Sequence, residues 1–280
     1  MTLPAVSLAA VSLADAEVAF ALQSVREDMR AAFMAHFARD GVFVRDGWEL
    51  AVPWLAERPA PAIVLDWRPV HVEVSASEDL GLSTGPWRMS PRGEPDAPVA
   101  YGQYVSIWKR QAAGQWEVAV DVGIAHPSPS LWDAPLVARA VAGTTGPGED
   151  LAPAEARFSR MSAEGGSLAA YRTLGADDLR LYREEVEPAA SLEAALAQPG
   201  LTEERRQWHP EAVAVARSRE LGYARGWYAA AGGTRPAGHY LRVWRRGPQG
   251  WRIALDVVNA LAVTSAPESG VARSLDPPMD

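Results

Sequence analysis

Asp79-Leu-Gly-Leu-Ser-Thr-Gly85 begins a series of three sequence blocks that the 280-residue chain contains twice. The first copy continues with Gly102-Gln-Tyr-Val-Ser-Ile-Trp-Lys-Arg110 and Trp116-Glu-Val-Ala-Val-Asp-Val122. The second copy reads Glu220-Leu-Gly-Tyr-Ala-Arg-Gly226, Gly238-His-Tyr-Leu-Arg-Val-Trp-Arg-Arg246 and Trp251-Arg-Ile-Ala-Leu-Asp-Val257. The three blocks are offset by 141, 136 and 135 residues, which is the length of a domain and not of a solenoid repeat. The sequence therefore predicts two copies of one fold.

The composition is that of an ordinary globular protein, with 48% hydrophobic and 22% charged residues. The chain has no cysteine, which excludes disulfide bonds and thiol chemistry. Its net charge is −8 and it has no basic stripe, so nucleic acid is not an expected partner. Lys109 is the only lysine, and this preference for Arg, with abundant Ala, Gly and Pro, indicates a GC-rich genome.

The N-terminus is apolar but short. We find no apolar run long enough to cross a bilayer, so we expect no membrane span. Residues 1–13, followed by Ala14-Asp-Ala16, are similar to the apolar part and cleavage site of a signal peptide, although the first basic residue is Arg26. The expected location is cytoplasmic, or periplasmic if this segment is the remnant of an exported precursor.

Each copy begins with a helical pattern. In the first copy a helix that starts near Asp15 is predicted to present one continuous apolar face: Val18, Leu22, Val25, Met29, Phe33 and Phe37. Gly165-Gly166 interrupts the matching helix of the second copy. Short helices are expected at residues 50–57 and 192–197. Alternating strands separated by turns follow and predict an antiparallel sheet in an α+β domain.

The repeat divides the chain into four parts. We expect a first domain over residues 14–127, a linker over 128–151, a second domain over 152–262 and a disordered tail over 263–280. The linker is expected to contain a short helix at residues 135–141. The two domains are predicted to pack sheet against sheet as a pseudo-twofold pair within one chain, which favours a monomer.

A set of matched residues carries a family resemblance. The first copy holds Glu17, Phe20, Trp67-Arg-Pro69, Asp79-Leu-Gly81, Gly85, Trp108 and Trp116 with Asp121. The second holds Glu155, Phe158, Trp208-His-Pro210, Glu220-Leu-Gly222, Gly226, Trp244 and Trp251 with Asp256. This pattern resembles the SnoaL-like branch of the nuclear transport factor 2-like superfamily, in particular a bacterial group of unassigned function.

The resemblance implies a cystatin-like cone: a strongly curved antiparallel sheet wrapped around N-terminal helices, with a pocket at the open end. Relatives include isomerases, dehydratases and cyclases that keep Asp, His or Tyr in this pocket. The chain carries no complete catalytic signature of these enzymes. No catalytic residue is therefore transferred to it by motif.

Comparing the copies separates fold residues from functional candidates. His71 and Glu73 align with Ala212 and Ala214, so the first copy alone places two ionisable groups on one strand face. An imidazole and a carboxylate two residues apart can exchange a proton, which makes this pair a catalytic candidate. The alternative is a solvated outer face of the sheet.

Asp121 is the third catalytic candidate. A carboxylate on a partly apolar strand face has a raised pKa and can act as a general base. Because Asp256 matches Asp121, a structural role is the competing interpretation. Trp87, Gln103 and Tyr104 are the candidate ligand-binding residues, although core packing also explains most of the paired tryptophans and tyrosines.

Metal and cofactor sites are not predicted. None of the five histidines has ligand spacing with another, and there is no phosphate loop or nucleophile elbow. The favoured function is binding of a partly apolar small molecule in the first domain. Two alternatives stay open: an isomerase, dehydratase or hydrolase that uses His71, Glu73 and Asp121, and a module that binds other proteins.

Overall fold

A computed structural model describes residues 7–94, 97–98, 100–127, 130–143, 150–201 and 204–261. The chain forms two repeated α+β domains, each with helices followed by a curved sheet. The predicted disordered tail, residues 263–280, lies outside the described residues.

The first domain consists of these elements in chain order: α1 Leu8–Arg26, α2 Met29–His36, β1 Phe37–Val44, β2 Trp48–Leu50, α3 Ala51–Ala56, β3 Ile63–Trp67, β4 His71–Val74, β5 Leu80–Pro91, β6 Ala100–Arg110, β7 Trp116–Ala125 and β8 Val137–Ala140. Its sheet has the strand order β2-β1-β7-β6-β5-β4-β8, and β3 also pairs with β5.

The second domain repeats this series: α4 Leu151–Gly165, α5 Ser167–Leu174, β9 Gly175–Arg183, α6 Leu192–Leu196, β10 Arg206–Val215, β11 Leu221–Ala230, β12 Gly238–Gly247 and β13 Gly250–Ala260. The strand order β10-β11-β12-β13-β9 matches β4-β5-β6-β7-β1 of the first domain. The repeated fold predicted from the sequence blocks is therefore confirmed.

Both sheets are mixed and not wholly antiparallel as predicted. β1 runs parallel to β7, β9 runs parallel to β13, and β8 runs parallel to β4. Each of these pairs is joined by a long stretch of chain, which allows a parallel connection, whereas consecutive strands joined by short turns pair antiparallel.

The apolar face predicted for the first helix is confirmed for Phe33 and Phe37, which are buried, and is wrong for its first three residues. Val18, Leu22 and Val25 are 39–45% exposed, whereas Glu17 and Phe20 are buried. The helix also breaks after Arg26, and α2 begins again with Asp28 accepting a hydrogen bond from the Ala31 amide. Small and hydrogen-bonded polar side chains fit against the sheet here, so apolar periodicity alone selects the wrong face.

Helix α1 also bears on the membrane prediction. Among the described residues, α1 is the one helix whose length and composition would allow it to cross a membrane. Its mean hydropathy is 1.4. No such helix was expected from the sequence. Its buried side, which includes Glu17 and Ser24, packs within the first domain.

Two further local expectations have different outcomes. The helix expected at residues 135–141 is wrong, because β8 occupies this place and extends the sheet beside β4, with Val137 opposite His71. The interruption of the second leading helix is confirmed. Gly166 separates α4 from α5 with a φ of 90°, a conformation that favours glycine.

The outer faces of the two sheets share one apolar cluster. Its members from the first domain include Leu80, Leu82, Val105, Ile107, Val120, Val122 and Ile124. Its members from the second domain include Tyr182, Leu221, Tyr223, Leu241, Val243, Leu255 and Val257. Ser77 and Ser218, equivalent positions in the repeat, each donate their backbone amide to the other's hydroxyl, at 2.9 and 3.0 Å. This reciprocal exchange places both residues at an approximate twofold axis.

Candidate functional site

The strand register brings a row of polar residues onto the inner face of the first sheet. Ser83 lies opposite Ser106, and Ser106 lies opposite Asp121. The Ser106 hydroxyl donates to Asp121 Oδ2 at 2.7 Å, and Tyr104 Oη lies 3.1 Å from Ser83 Oγ. Helix α1 faces this row and adds Glu17. These five residues are called the inner polar group below.

Glu17 is held between two tryptophans. The indole nitrogens of Trp67 and Trp108 donate to its two carboxylate oxygens at 2.7 and 2.9 Å. Burial raises the pKa of Glu17 to about 7 despite these hydrogen bonds, and the nearby charge of Asp121 raises it further. Glu17 therefore titrates near neutral pH.

Asp121 has a similar electrostatic environment but is partly exposed. Burial of its carboxylate raises the pKa of Asp121 to about 6, although the Ser106 hydrogen bond and the charge of Arg45 both act to lower it. Burial also raises the pKa of Tyr104, which therefore stays a neutral hydroxyl. Near neutral pH the inner polar group offers carboxylates close to their midpoints and two kinds of hydroxyl.

The second cone holds an arginine at the equivalent place. Arg242 lies opposite Asp256 in the sheet, as Ser106 lies opposite Asp121. Its Nε donates to Asp256 Oδ2 at 2.7 Å and its Nη1 to Glu155 Oε1 at 2.6 Å. Although burial acts to lower it, the pKa of the Arg242 guanidinium is raised by these two carboxylates. Arg242 thus occupies the interior of the second cone and pairs with both of its carboxylates, while burial raises the pKa of Asp256 to about 6.

His71 and Glu73 lie on the opposite face of the first sheet from Asp121. Glu73 is opposite Leu82, a member of the apolar cluster between the sheets. His71 Nε2 lies 3.0 Å from Glu73 Oε1, and Arg180 of the second domain approaches His71 Nδ1 at 3.3 Å. The structure therefore does not bring the three catalytic candidates together.

Arginines complete the surroundings of Glu73. Arg139 of β8 donates its Nε to Glu73 Oε1 at 3.0 Å, and its Nη2 bridges to Asp178 at 2.6 Å. Although burial acts to raise it, the pKa of Glu73 is lowered by the hydrogen bond to His71 and the charges of Arg245 and Arg139. Burial lowers the pKa of His71. This cluster is an ion-pair junction between the domains.

The three candidate ligand-binding residues are divided between the faces. Tyr104 belongs to the inner polar group, and Trp87 packs partly buried against the inner apolar core. Gln103 is buried on the outer face, since side chains alternate along β6, and its amide atoms have no hydrogen-bond partner among the described residues. Tyr104 and Trp87 therefore belong with Asp121, and Gln103 does not.

Four residues of the two cone interiors were not identified from the sequence: Glu17, Ser83, Ser106 and Arg242. A signal was present in the repeated blocks, where Ser106 in the first copy is replaced by Arg242 in the second. Such an exchange changes both volume and charge at one strand position. For Ser83, which matches Ala224, the same comparison gives a weaker signal.

The two best-defined surface clefts on the described residues are not lined by the inner polar group. The larger, of about 690 Å³, lies between the domains and is lined mainly by residues 77–80, 109–112 and 214–217. The other, of about 580 Å³, lies in the second domain around residues 172–178, with Leu192, Gln249 and Arg252. No group of acidic or histidine side chains arranged to hold a metal ion occurs in the described ranges.

Comparison with known proteins identifies structural neighbours only. No family model and no curated protein match the sequence. A protein of unknown function with a cystatin-like fold from Nostoc punctiforme is 13% identical, with a TM-score of 0.35, over 46% of this chain and 99% of that one. A ketosteroid isomerase-like protein from Erwinia carotovora atroseptica is 19% identical, with a TM-score of 0.33, over 44% and 99%.

Another neighbour is a domain of unknown function with a cystatin-like fold, also from Nostoc punctiforme. It is 16% identical, with a TM-score of 0.34, over 43% of this chain and 82% of that one. These neighbours are cystatin-like and ketosteroid isomerase-like proteins, and each matches less than half of the chain.

Proposed function

We propose that the chain is a tandem pair of SnoaL-like domains and that it binds a small, partly apolar molecule in the first cone. The second cone acts as its structural partner. The repeated residue blocks support the tandem assignment. The contrast between the two cone interiors supports the division of roles.

The pair of buried carboxylates in the first cone carries this proposal, because neither forms an ion pair with a described residue. Burying a carboxylate without a cation or sufficient donors is costly, and the raised pKa values of Glu17 and Asp121 reflect that cost. In the second cone Arg242 forms ion pairs with both carboxylates, although burial still raises the pKa of Asp256 to about 6. A ligand that donates a hydrogen bond to Asp121 would supply a partner that the first cone lacks.

The surroundings define the chemical class of this ligand. Trp87 and Tyr104 supply aromatic surface beside the inner face, and the Ser106 and Tyr104 hydroxyls can donate or accept hydrogen bonds. The ligand is therefore an uncharged molecule with an apolar body and at least one hydroxyl or amide donor. It enters beside Asp121, which is partly exposed.

An enzyme of the isomerase or dehydratase type is the second candidate. A carboxylate with a pKa of about 6 is suited to take up a proton near neutral pH, and Asp121 meets this condition. His71 and Glu73 do not contribute to such a reaction, because they point toward the second domain. The reaction would depend on Asp121 with the hydroxyls of Ser106 and Tyr104.

Binding of simple probes tests the proposal. Phenol, cyclohexanol and benzamide are titrated against the full chain by saturation-transfer NMR, in the native sequence and in Asp121→Asn and Tyr104→Phe variants. We expect an apolar donor probe to bind the native chain and to bind the Asp121→Asn variant at least about tenfold more weakly. The matched control is Tyr240→Phe, the equivalent change in the second cone, which leaves binding unchanged.

Two results would contradict the proposal. One is that no probe of this class binds the native chain. The other is that binding survives Asp121→Asn but is lost in Tyr240→Phe, which would place the site in the second cone.

The tandem pair is also expected to be a monomer, because each sheet covers the outer face of the other. Light scattering of the purified chain measures this directly.

A further inference from the structure

The strands β4 and β10 occupy equivalent places at the edge of their sheets but differ in what covers them. β8 pairs with the outer edge of β4, whereas β10 pairs only with β11 among the described residues. Val72 and Val74 of β4 are 0% exposed. Their equivalents in β10, Val213 and Val215, are 37% and 39% exposed. An open edge with exposed valines is a site for pairing with another strand.

The chain carries a second copy of the sequence that covers β4. β8 and its flanks read Leu136-Val-Ala-Arg-Ala-Val141, and the C-terminal part of the chain reads Gly270-Val-Ala-Arg-Ser-Leu275. The connection is also conserved in length between the copies: Val137 follows the end of β7 by 12 residues, and Val271 follows the end of β13 by 11. The internal repeat therefore extends beyond the last described strand.

We propose, against the disorder expected for the tail, that residues 271–274 add to the free edge of β10 as a parallel strand, in the register that β8 adopts on β4. In that register Val271 lies opposite Ala212 and Arg273 lies opposite Ala214, as Val137 and Arg139 lie opposite His71 and Glu73. The added strand satisfies the open backbone edge of β10 and covers Val213 and Val215.

Charge placement agrees with this register. Arg139 binds two carboxylates, Glu73 and Asp178. At the equivalent places the second side of the molecule has Ala214 and Asp40, and Asp40 is exposed. Arg273 in the proposed strand thus has one carboxylate to pair with, which is Asp40. The contact between Arg273 and Asp40 is therefore weaker than the one around Glu73, because it has one carboxylate where Arg139 has two. In both contacts an arginine of the added strand faces an acidic residue of the other domain.

The larger cleft is explained by the same proposal. Val141, the residue after β8, is buried in the apolar cluster between the sheets. The equivalent Leu275 would enter the cleft of about 690 Å³, which residues 214–217 line together with Lys109. This cleft is therefore the seat of a segment of the chain itself and not a ligand pocket.

Cysteine cross-linking in the full chain tests the pairing and its register, because the chain has no native cysteine. Cysteines at positions 214 and 273, introduced as Ala214→Cys and Arg273→Cys, would face each other at a separation that a disulfide spans. The matched control combines Ala214→Cys with Ala272→Cys, whose side chain points to the other face of the strand. We expect the first pair to oxidise at least about tenfold faster than the control, within one chain.

The outcomes are distinct on a non-reducing gel followed by peptide mass mapping. An intrachain disulfide in the 214/273 pair supports the proposal. A disulfide between two chains would show that a second copy supplies the strand and would overturn it. Equal oxidation of both pairs, or no oxidation of either, would overturn it as well, since neither reports the proposed register.

Hydrogen exchange provides a second readout that needs no disulfide. Arg273→Pro removes a backbone donor from the proposed strand, and Met279→Pro is a control outside it. Amides of residues 211–216 should exchange about tenfold faster in the Arg273→Pro variant than in the native chain or the control. Equal exchange in all three proteins would contradict the proposal.

Discussion

Ser106 and Arg242 occupy the same strand position in the two domains, each directly opposite the aspartate that the copies share. Ser106 donates one hydrogen bond to Asp121, whereas Arg242 forms ion pairs with both Asp256 and Glu155. One exchange of side chain therefore separates a cone interior whose aspartate is bound by a hydroxyl from one whose two carboxylates share a buried guanidinium. The proposed difference in function between the domains rests on this pair.

Replacing Ser106 with arginine should convert the first cone into a copy of the second. The new guanidinium can reach Asp121 and Glu17, as Arg242 reaches Asp256 and Glu155. We expect the Ser106→Arg variant to lose binding of the donor probes, measured by saturation-transfer NMR, because the guanidinium occupies the Asp121 carboxylate. Ser106→Ala is the control and should retain most binding. A Ser106→Arg variant that binds as well as the native chain would place the site elsewhere.

Removing Arg242 should be one of the most destabilising single changes in the second domain. Arg242→Met keeps the length of the side chain but leaves Glu155 and Asp256 buried without a cation. Loss of one partner from a buried ion pair costs about 3–5 kcal/mol, measurable as the free energy of urea unfolding. Arg225→Met, which removes a partly exposed pair with Glu211, should cost less than about 1 kcal/mol. Equal losses would argue against a neutralising role.

The overall fold was predictable because each local sequence pattern occurs in both copies, so an assignment made in one copy could be compared with the other. Matched tryptophans, glycines and aspartates fixed the two domains and most strands. The first helix was not predictable in its orientation, since its buried face carries Glu17 and Ser24, which are satisfied by Trp67, Trp108 and a backbone carbonyl. Those partners are distant in sequence, so hydrophobic periodicity gave no signal for them.

The candidate site was predictable only in part, for a related physical reason. Alternation along β4 showed that His71 and Glu73 share a face but not which face of the sheet is inside. Pairing of β4 with β8 and contact with Arg180 decide this, and both depend on the arrangement of the two domains. Asp121 was identified because alternation grouped it with Ala119 and Gly123, although a β-bulge after Val118 places Ala119 in the apolar cluster between the sheets.

Asp121 should make stability depend on pH in a defined direction. Its folded-state pKa of about 6 lies above the ordinary value of 3.8, so the folded state holds the proton more tightly than the unfolded state does. The favourable contribution is present at low pH and is lost as the pH rises through about 6. Asp121→Asn should therefore stabilise the chain at pH 8, on the order of 1 kcal/mol after solvent screening, and have little effect near pH 4.

Thermal unfolding of the native chain and two variants from pH 4 to 8 measures this effect. Asp177→Asn removes an exposed carboxylate of the second domain and serves as the control for the change in net charge. An Asp121→Asn variant that is less stable than the native chain at pH 8 would mean that its carboxylate has a structural role, which is the competing interpretation from the repeat.

Glu73 should show the opposite dependence on pH. Hydrogen bonding to His71 and the charges of Arg245 and Arg139 hold the pKa of Glu73 below its ordinary value of 4.5. The ionised carboxylate therefore stabilises the folded chain above pH 4.5, and this contribution is lost as the pH falls toward the lowered pKa. Glu73→Gln should cost about 2–3 kcal/mol at pH 7, because two arginines lose their buried partner at the domain junction.

Urea unfolding of the Glu73→Gln variant at pH 7 and pH 4 tests this interpretation against a catalytic one. The difference from the native chain should shrink at pH 4, while probe binding in the first cone stays unchanged, since Glu73 faces the second domain. Glu78→Gln, which removes an exposed pair with Arg110, is the control and should cost below about 0.5 kcal/mol at either pH. If Glu73→Gln instead abolishes probe binding without loss of stability, Glu73 belongs to the ligand site and the assignment of the two sheet faces is wrong.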